Sequence, residues 1–456
     1  MMAYGAQWIQ NQDVHKALWK RARNFLFSLL PITSYRLALA IMTFGAVAPP
    51  MSSDPEVRHG NDTLFLADNG LRSLQVLAAQ SLHKCTMSAE ALPADLADTL
   101  RRLIDTFQWY ALGLDSVLAV SNKRPTTTTY SSFDEIHNWP EGPERATIPD
   151  IQANAELDWP GMMSFNPRPS QAGLWSAVHT RTRETALQAT AFAWSLQNEA
   201  SGSSVIKSPT VVQEAGKTLQ TLAGTVAYLY RFVAHLRQAL QEGNASAAQH
   251  YLNWLKTPML RFLASYAPTL LLPRRLLPPA VRYHHSTLLA NTVLIAFSFL
   301  DTVHEMQELS MAEEMQIHRS FTEVDRMIIS DNTLRLACYA AEILTEPVVD
   351  GARDSDGFES LRWKNPVSIS PVASQVLNAS HLSRAAQHAC EMRDWQTAQQ
   401  LVGMLRKALD ALDFLRPRLI MFFTPQLEAR LALITHHFHS MQMTLFEVLS
   451  DRIGEL

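Results

Sequence analysis

Apolar residues recur at helical spacing through most of the chain, and proline- or glycine-bearing breaks separate the periodic stretches. From Asp13 to Leu30 the apolar positions are Val14, Leu18, Phe25, Leu26, Leu29 and Leu30. Set against the basic cluster Lys16, Lys20, Arg21 and Arg23, they predict an amphipathic first helix that Pro31 ends. Thr33 or Ser34 is placed to cap a second, apolar helix, which Pro49-Pro50 stops. Asn61 and Asp62 offer caps for a third helix to about Lys84, with Leu64, Leu71, Leu74 and Leu77 along one side. Pro93 and Asp95 open a helix pair that runs into the stretch 107–125. Further helices are predicted over 170–198, 211–241, 245–267, 280–309, 321–344, 367–392, 395–415 and 424–449.

Strand-like alternation persists nowhere, and no fixed-period repeat is visible. The expected fold class is all-α, with one large multi-helix domain over 1–456. Two stretches break the pattern. Segment 126–169 holds Pro140, Pro143, Pro149, Pro160 and Pro167 with Trp139 and Trp159, and predicts an ordered proline-rich loop lying over the helical body. Segment 200–210 is rich in Ser and Gly and predicts a flexible linker.

The stretch FQWYALGLDSVLAVSNKRP, Phe107 to Pro125, organises the rest. Trp109, Leu112, Leu114, Val117, Leu118 and Val120 give it helical faces, and Asp115 lies inside that apolar run. An ionised carboxylate there is costly unless it is paired or hydrogen-bonded. Asn122 suits the helix end and Pro125 cannot continue it, which places Arg124 just beyond. Two structural readings of Asp115 stay open: an ion pair made by Arg124 folding back, or a carboxylate meeting solvent at an interhelix groove. An acid–base role is a third, because perturbed carboxylates occur at active sites as well as in structural networks.

The order aromatic–x–aromatic, apolar run with Asp-Ser, then Arg-Pro resembles a signature of the middle homology region, the regulatory domain of fungal binuclear zinc-cluster transcription factors. Ser34–Met51 is similar to the helix before that signature. Asn365–Leu415 is similar to its closing helices, with a proline-containing entry, an Ala-rich helix, a Trp-containing turn and a Leu-rich helix. The resemblance covers roughly residues 10 to 450. It implies a large helical regulatory domain and, in a complete family member, six cysteine thiolates that hold two zinc ions in a DNA-reading module.

Cysteine and charge change that picture. The sequence has three cysteines, Cys85, Cys338 and Cys390, far apart and without zinc-finger spacing. They read as reduced thiols of an intracellular protein rather than a disulfide framework. Net charge is −4, so no basic excess is present to neutralise phosphate. Specific DNA binding and stoichiometric zinc are therefore not expected. Met1–Gln12 carries no clear secretory pattern. The apolar runs Leu37–Ala48 and Leu288–Leu300, 12 and 13 residues, are shorter than the roughly 18 a spanning helix needs. Both are expected to be buried core helices, with no membrane span.

Little else carries chemistry. His436 and His439 share a helix face, but no third ligand is fixed by spacing, and His284 and His285 point apart. His304-Glu305 lacks the second histidine of a zinc-protease helix. No glycine-rich phosphate loop or serine nucleophile elbow is present. No metal or cofactor is expected. Trp109, Tyr110, Trp139 and Trp159, with Asp115, are the candidates for lining an apolar pocket. Two functions follow. One is a transcription-regulator-like protein without its own DNA-binding module, nuclear, controlling a fungal specialised-metabolism pathway through protein partners or a small-molecule effector. The alternative is a cytoplasmic, cofactor-free cyclase, isomerase or pericyclase of such a pathway, working by shape and a few hydrogen bonds. The oligomeric state is not readable from the sequence.

Overall fold

The computed structural model describes residues 11–45, 61–87, a set of positions between 96 and 127 that includes 113–120, then 225–226, 229–271, 279–308, 321–345, 371–417 and 423–454. The expected loop 126–169 lies almost entirely outside the described residues, and the expected helix 170–198 and linker 200–210 lie wholly outside them. Among the described residues the fold is all-helical, with no strand.

Among the described residues the helices with defined limits follow in chain order: α1 Gln12–Leu29, α2 Tyr35–Gly45, α3 Asn61–Met87, α4 Ala245–Leu270, α5 Pro279–Glu308, α6 Glu323–Thr345, α7 Pro371–Glu391, α8 Trp395–Leu415 and α9 Pro425–Gly454. Residues 113–120 and 229–241 are also helical.

The ends are chemically marked. The Asn11 side chain accepts from the Asp13 and Val14 amides to cap α1, and Ser34 accepts from the Leu37 amide at α2. At α9, Thr424 accepts from the Leu427 amide while Pro425 takes the first helical position, where its missing N–H costs nothing. Two turns share one construction. Gly243 (φ 66°) and Arg393 (φ 55°) each take the left-handed conformation, and the next residue donates its amide five residues back, Asn244 to Ala239 and Asp394 to Ala389. Asn244 and Asp394 then cap the following helices, accepting from the Ala247 and Thr397 amides.

Three expectations need correction. α4 runs through Pro268 to Leu270 rather than stopping at Ala267, because a proline in a last turn forfeits a single bond and Leu271 still donates to Ala267. The core line of α3 is Thr63, Leu66, Ala67, Gly70, Leu71, Leu74 and Ala78. Leu64 and Leu77 are only partly buried beside it. The apolar run on α5 is part of a longer window, His285–Gln307, that is long and apolar enough to cross a membrane. Since 72% of that window is buried inside the body, α5 is its central core helix.

Packing divides into a small N-terminal unit and a larger body. α2 lies tightly on α3. A β-carbon at Gly45 would sit 2.4 Å from the Ala67 β-carbon, and one at Gly70 would sit 2.7 Å from Met42 Cγ. Glycine is what permits that approach. α1 adds Trp19 and Leu26 to a cluster with Ile41, Phe44 and Leu66. The body is one continuous apolar core built from the 229–241 helix and α4 to α9. Stretch 113–120 bridges the two. Leu114 packs with Met42, Leu71 and Leu74, whereas Ala119 and Val120 belong to the body core.

Candidate functional site

The junction between the two packing units is polar at its centre. Asp115 is fully buried, on a helix that is apolar apart from it and the equally buried Ser116. Both of its oxygens are engaged. Arg231 donates from Nη1 to Oδ2 at 2.9 Å, and Arg231 is itself only 2% exposed. Oδ1 accepts from the Thr127 amide at 3.0 Å and from Arg124 Nη2 at 3.3 Å. The chain thus turns back after the helix, closed by the Arg124 amide donating to the Ala119 carbonyl at 3.1 Å.

The network continues into the N-terminal unit. Arg124 Nη2 is 3.1 Å from Asp68 Oδ1 on α3, and Thr127 Oγ1 donates to that same oxygen at 2.7 Å. Arg124 Nη1 in turn donates to Thr127 Oγ1 at 2.8 Å. Two carboxylates, two guanidiniums and a hydroxyl therefore link α3, stretch 113–127 and the 229–241 helix. The charges balance within the cluster, as burial requires.

A second buried guanidinium fixes the same stretch. Arg237 donates from Nη1 to the Val120 carbonyl at 2.6 Å and from Nε to Thr302 Oγ1 of α5 at 2.9 Å. A cation at the carbonyl end of helix 113–120 also complements the helix dipole. Burial lowers its pKa, opposed by the charges of Glu305 and Asp301, and arginine stays protonated regardless.

His235 sits one turn beyond Arg231. Burial, reinforced by the Arg231 charge and partly opposed by Asp115, lowers its pKa to about 3, so its imidazole is neutral. Its ring stacks on Tyr251 of α4, centroids 5.6 Å apart.

A separate ion cluster ties α5 to α7. Asp301 Oδ1 lies 3.1 Å from His381 Nε2 and 3.0 Å from Arg384 Nη2, and His381 stacks on Phe297 at 4.2 Å. Asp301 is held well below the ordinary carboxylate range. Its burial, which alone would raise it, is outweighed by hydrogen bonds and charge from His381 and Arg384. Among the described residues no group of three or more His, Cys, Asp or Glu side chains gathers as a metal-ligand set.

Of the sequence candidates, the structure brings Asp115 and Arg124 together. Trp109, Tyr110, Trp139 and Trp159, the expected pocket lining, lie outside the described residues. Sequence reasoning missed Arg231, Arg237 and Asp68. The available signal was the pair of arginines, Arg231 and Arg237, inside the apolar periodicity of 226–240, which buried helices seldom carry without a partner. Comparison with family models, with curated proteins and with solved structures gives no match to this chain.

Proposed function

We propose that this chain is a transcription-regulator-like helical protein that carries no DNA-binding module of its own in this sequence, acts in the nucleus and controls a specialised-metabolism pathway through protein partners or a small-molecule effector. The observation that carries the reading is the state of Asp115. Its two oxygens are committed to Arg231, Arg124 and the Thr127 amide, so the most conspicuous carboxylate of the chain serves as a structural joint. A joint of this kind, at the seam between two packing units, suits a body that transmits binding at one place to another. The all-helical architecture agrees with the resemblance of 107–125 to a fungal regulatory domain.

One observation favours the second reading, a cofactor-free enzyme. The neutral His235 stacked on the half-buried Tyr251 places an imidazole and a phenol together at the edge of an apolar core.

The deciding experiment tethers the full chain to a heterologous DNA-binding domain upstream of a reporter promoter. The regulatory reading expects reporter output to change several-fold, and expects a His235→Phe variant to behave like the parent. Reporter output equal to that of the DNA-binding domain alone contradicts it.

A further inference from the structure

The body core contains a polar pair that the Asp115 network does not use. Gln375 and Asn378 are fully buried on α7, three residues apart and hence on one face. They share a single hydrogen bond, Asn378 Nδ2 to Gln375 Oε1 at 3.2 Å. Among the described residues, Gln375 Nε2 and Asn378 Oδ1 have no hydrogen-bond partner. Rotating both amides by half a turn exchanges the atoms and leaves the same remainder, one free donor and one free acceptor.

Buried amides lose their water on folding, and an unmet donor or acceptor costs about as much as a lost hydrogen bond. The pair lies in the first two turns of α7, toward the open end of the α7–α8 hairpin. Counting from the turn at Met392–Asp394, Asn378 is level with Ala408 and Gln375 with Ala411, both small and buried residues of α8. The α7 face that bears the amides also carries the buried Ser374, four residues before Asn378, and continues with the apolar Leu382 and Ala386.

We infer that Gln375 and Asn378 form an internal binding edge for a small neutral molecule that presents one acceptor and one donor side by side. Water and the edge of an amide or lactam share this chemistry, and both are free of the charge that an apolar core would reject. The inference stands apart from the regulatory reading, since a failed reporter assay leaves it untouched.

A high-resolution crystal structure of the full chain tests it directly. The expected result is density for a molecule within about 2.7–3.2 Å of both Gln375 and Asn378 amide groups. Titration with acetamide then separates the two sources. A rise in melting temperature in the parent, lost in Gln375→Met, shows that the edge takes amides. No rise, with a single ordered oxygen in the density, shows that it holds water. Gln375→Met preserves side-chain length and helix propensity, so it keeps the fold. The inference is overturned if both amides prove to be bonded to protein groups with nothing between them, or if the Gln375→Met crystal retains the molecule in the same place.

Discussion

Single residues in this protein are decided by what burial does to charge. His235 shows it most simply. With its folded pKa near 3 against about 6.5 in an unfolded chain, the unfolded state binds more protons between those values. Stability from this group is therefore complete above about pH 6.5 and is lost progressively as pH falls toward 3. Denaturant titrations of the parent at pH 7 and pH 4.5 should show a clear drop in stability at the lower pH, and His235→Phe should show a smaller drop while keeping the stack on Tyr251. An equal drop in both proteins would locate the acid sensitivity elsewhere, with Asp301 next, since its depressed carboxyl also loses stability on acidification. Asp115 and Arg124 were legible in the sequence, because a carboxylate in an apolar run and an arginine after a helix stop are local signals. It did not point to Arg231, which pairs with Asp115 across 116 positions of chain, a contact that only the fold creates.

At the scale of elements, periodicity and stop signals were enough to place the described helices. The α8 limits Trp395–Leu415 were readable in full, and those of α1, α5, α6 and α9 to within a few residues, since caps and prolines mark them. How helices meet was not readable, because close approach depends on the partner's surface. The α2–α3 crossing is a case. Gly45 and Gly70 look like helix-weakening residues in sequence, yet they are what lets the two backbones approach. Gly45→Ala sets the 2.4 Å overlap with Ala67 and crowded backbone against a propensity gain of about 1 kcal/mol, and overlap wins, with a net loss of roughly 1–3 kcal/mol. Gly403, in mid-α8, meets nothing within 4 Å, so Gly403→Ala should raise stability by about 0.5–1 kcal/mol. Urea unfolding of the two variants checks the pair. Stabilisation by Gly45→Ala would mean that α2 and α3 do not pack as described.

For the molecule as a whole, helix 113–120, with Arg124 and Thr127 beyond its end, is the joint between the α1–α3 unit and the α4–α9 body. Its apolar side divides between the two cores, and its polar side runs from Asp68 through Arg124 and Asp115 to Arg231. Removing one member strands the others in low dielectric, which costs about 3–5 kcal/mol for a buried pair. Removing both partners leaves no stranded charge between them. A double-mutant cycle on unfolding free energy with Asp115→Asn and Arg231→Met measures this most directly. Each single variant should lose several kcal/mol and the double variant clearly less than the sum, a coupling of at least about 1 kcal/mol. Additive losses, or an Asp115→Asn protein that unfolds at the parent's denaturant midpoint, would contradict it.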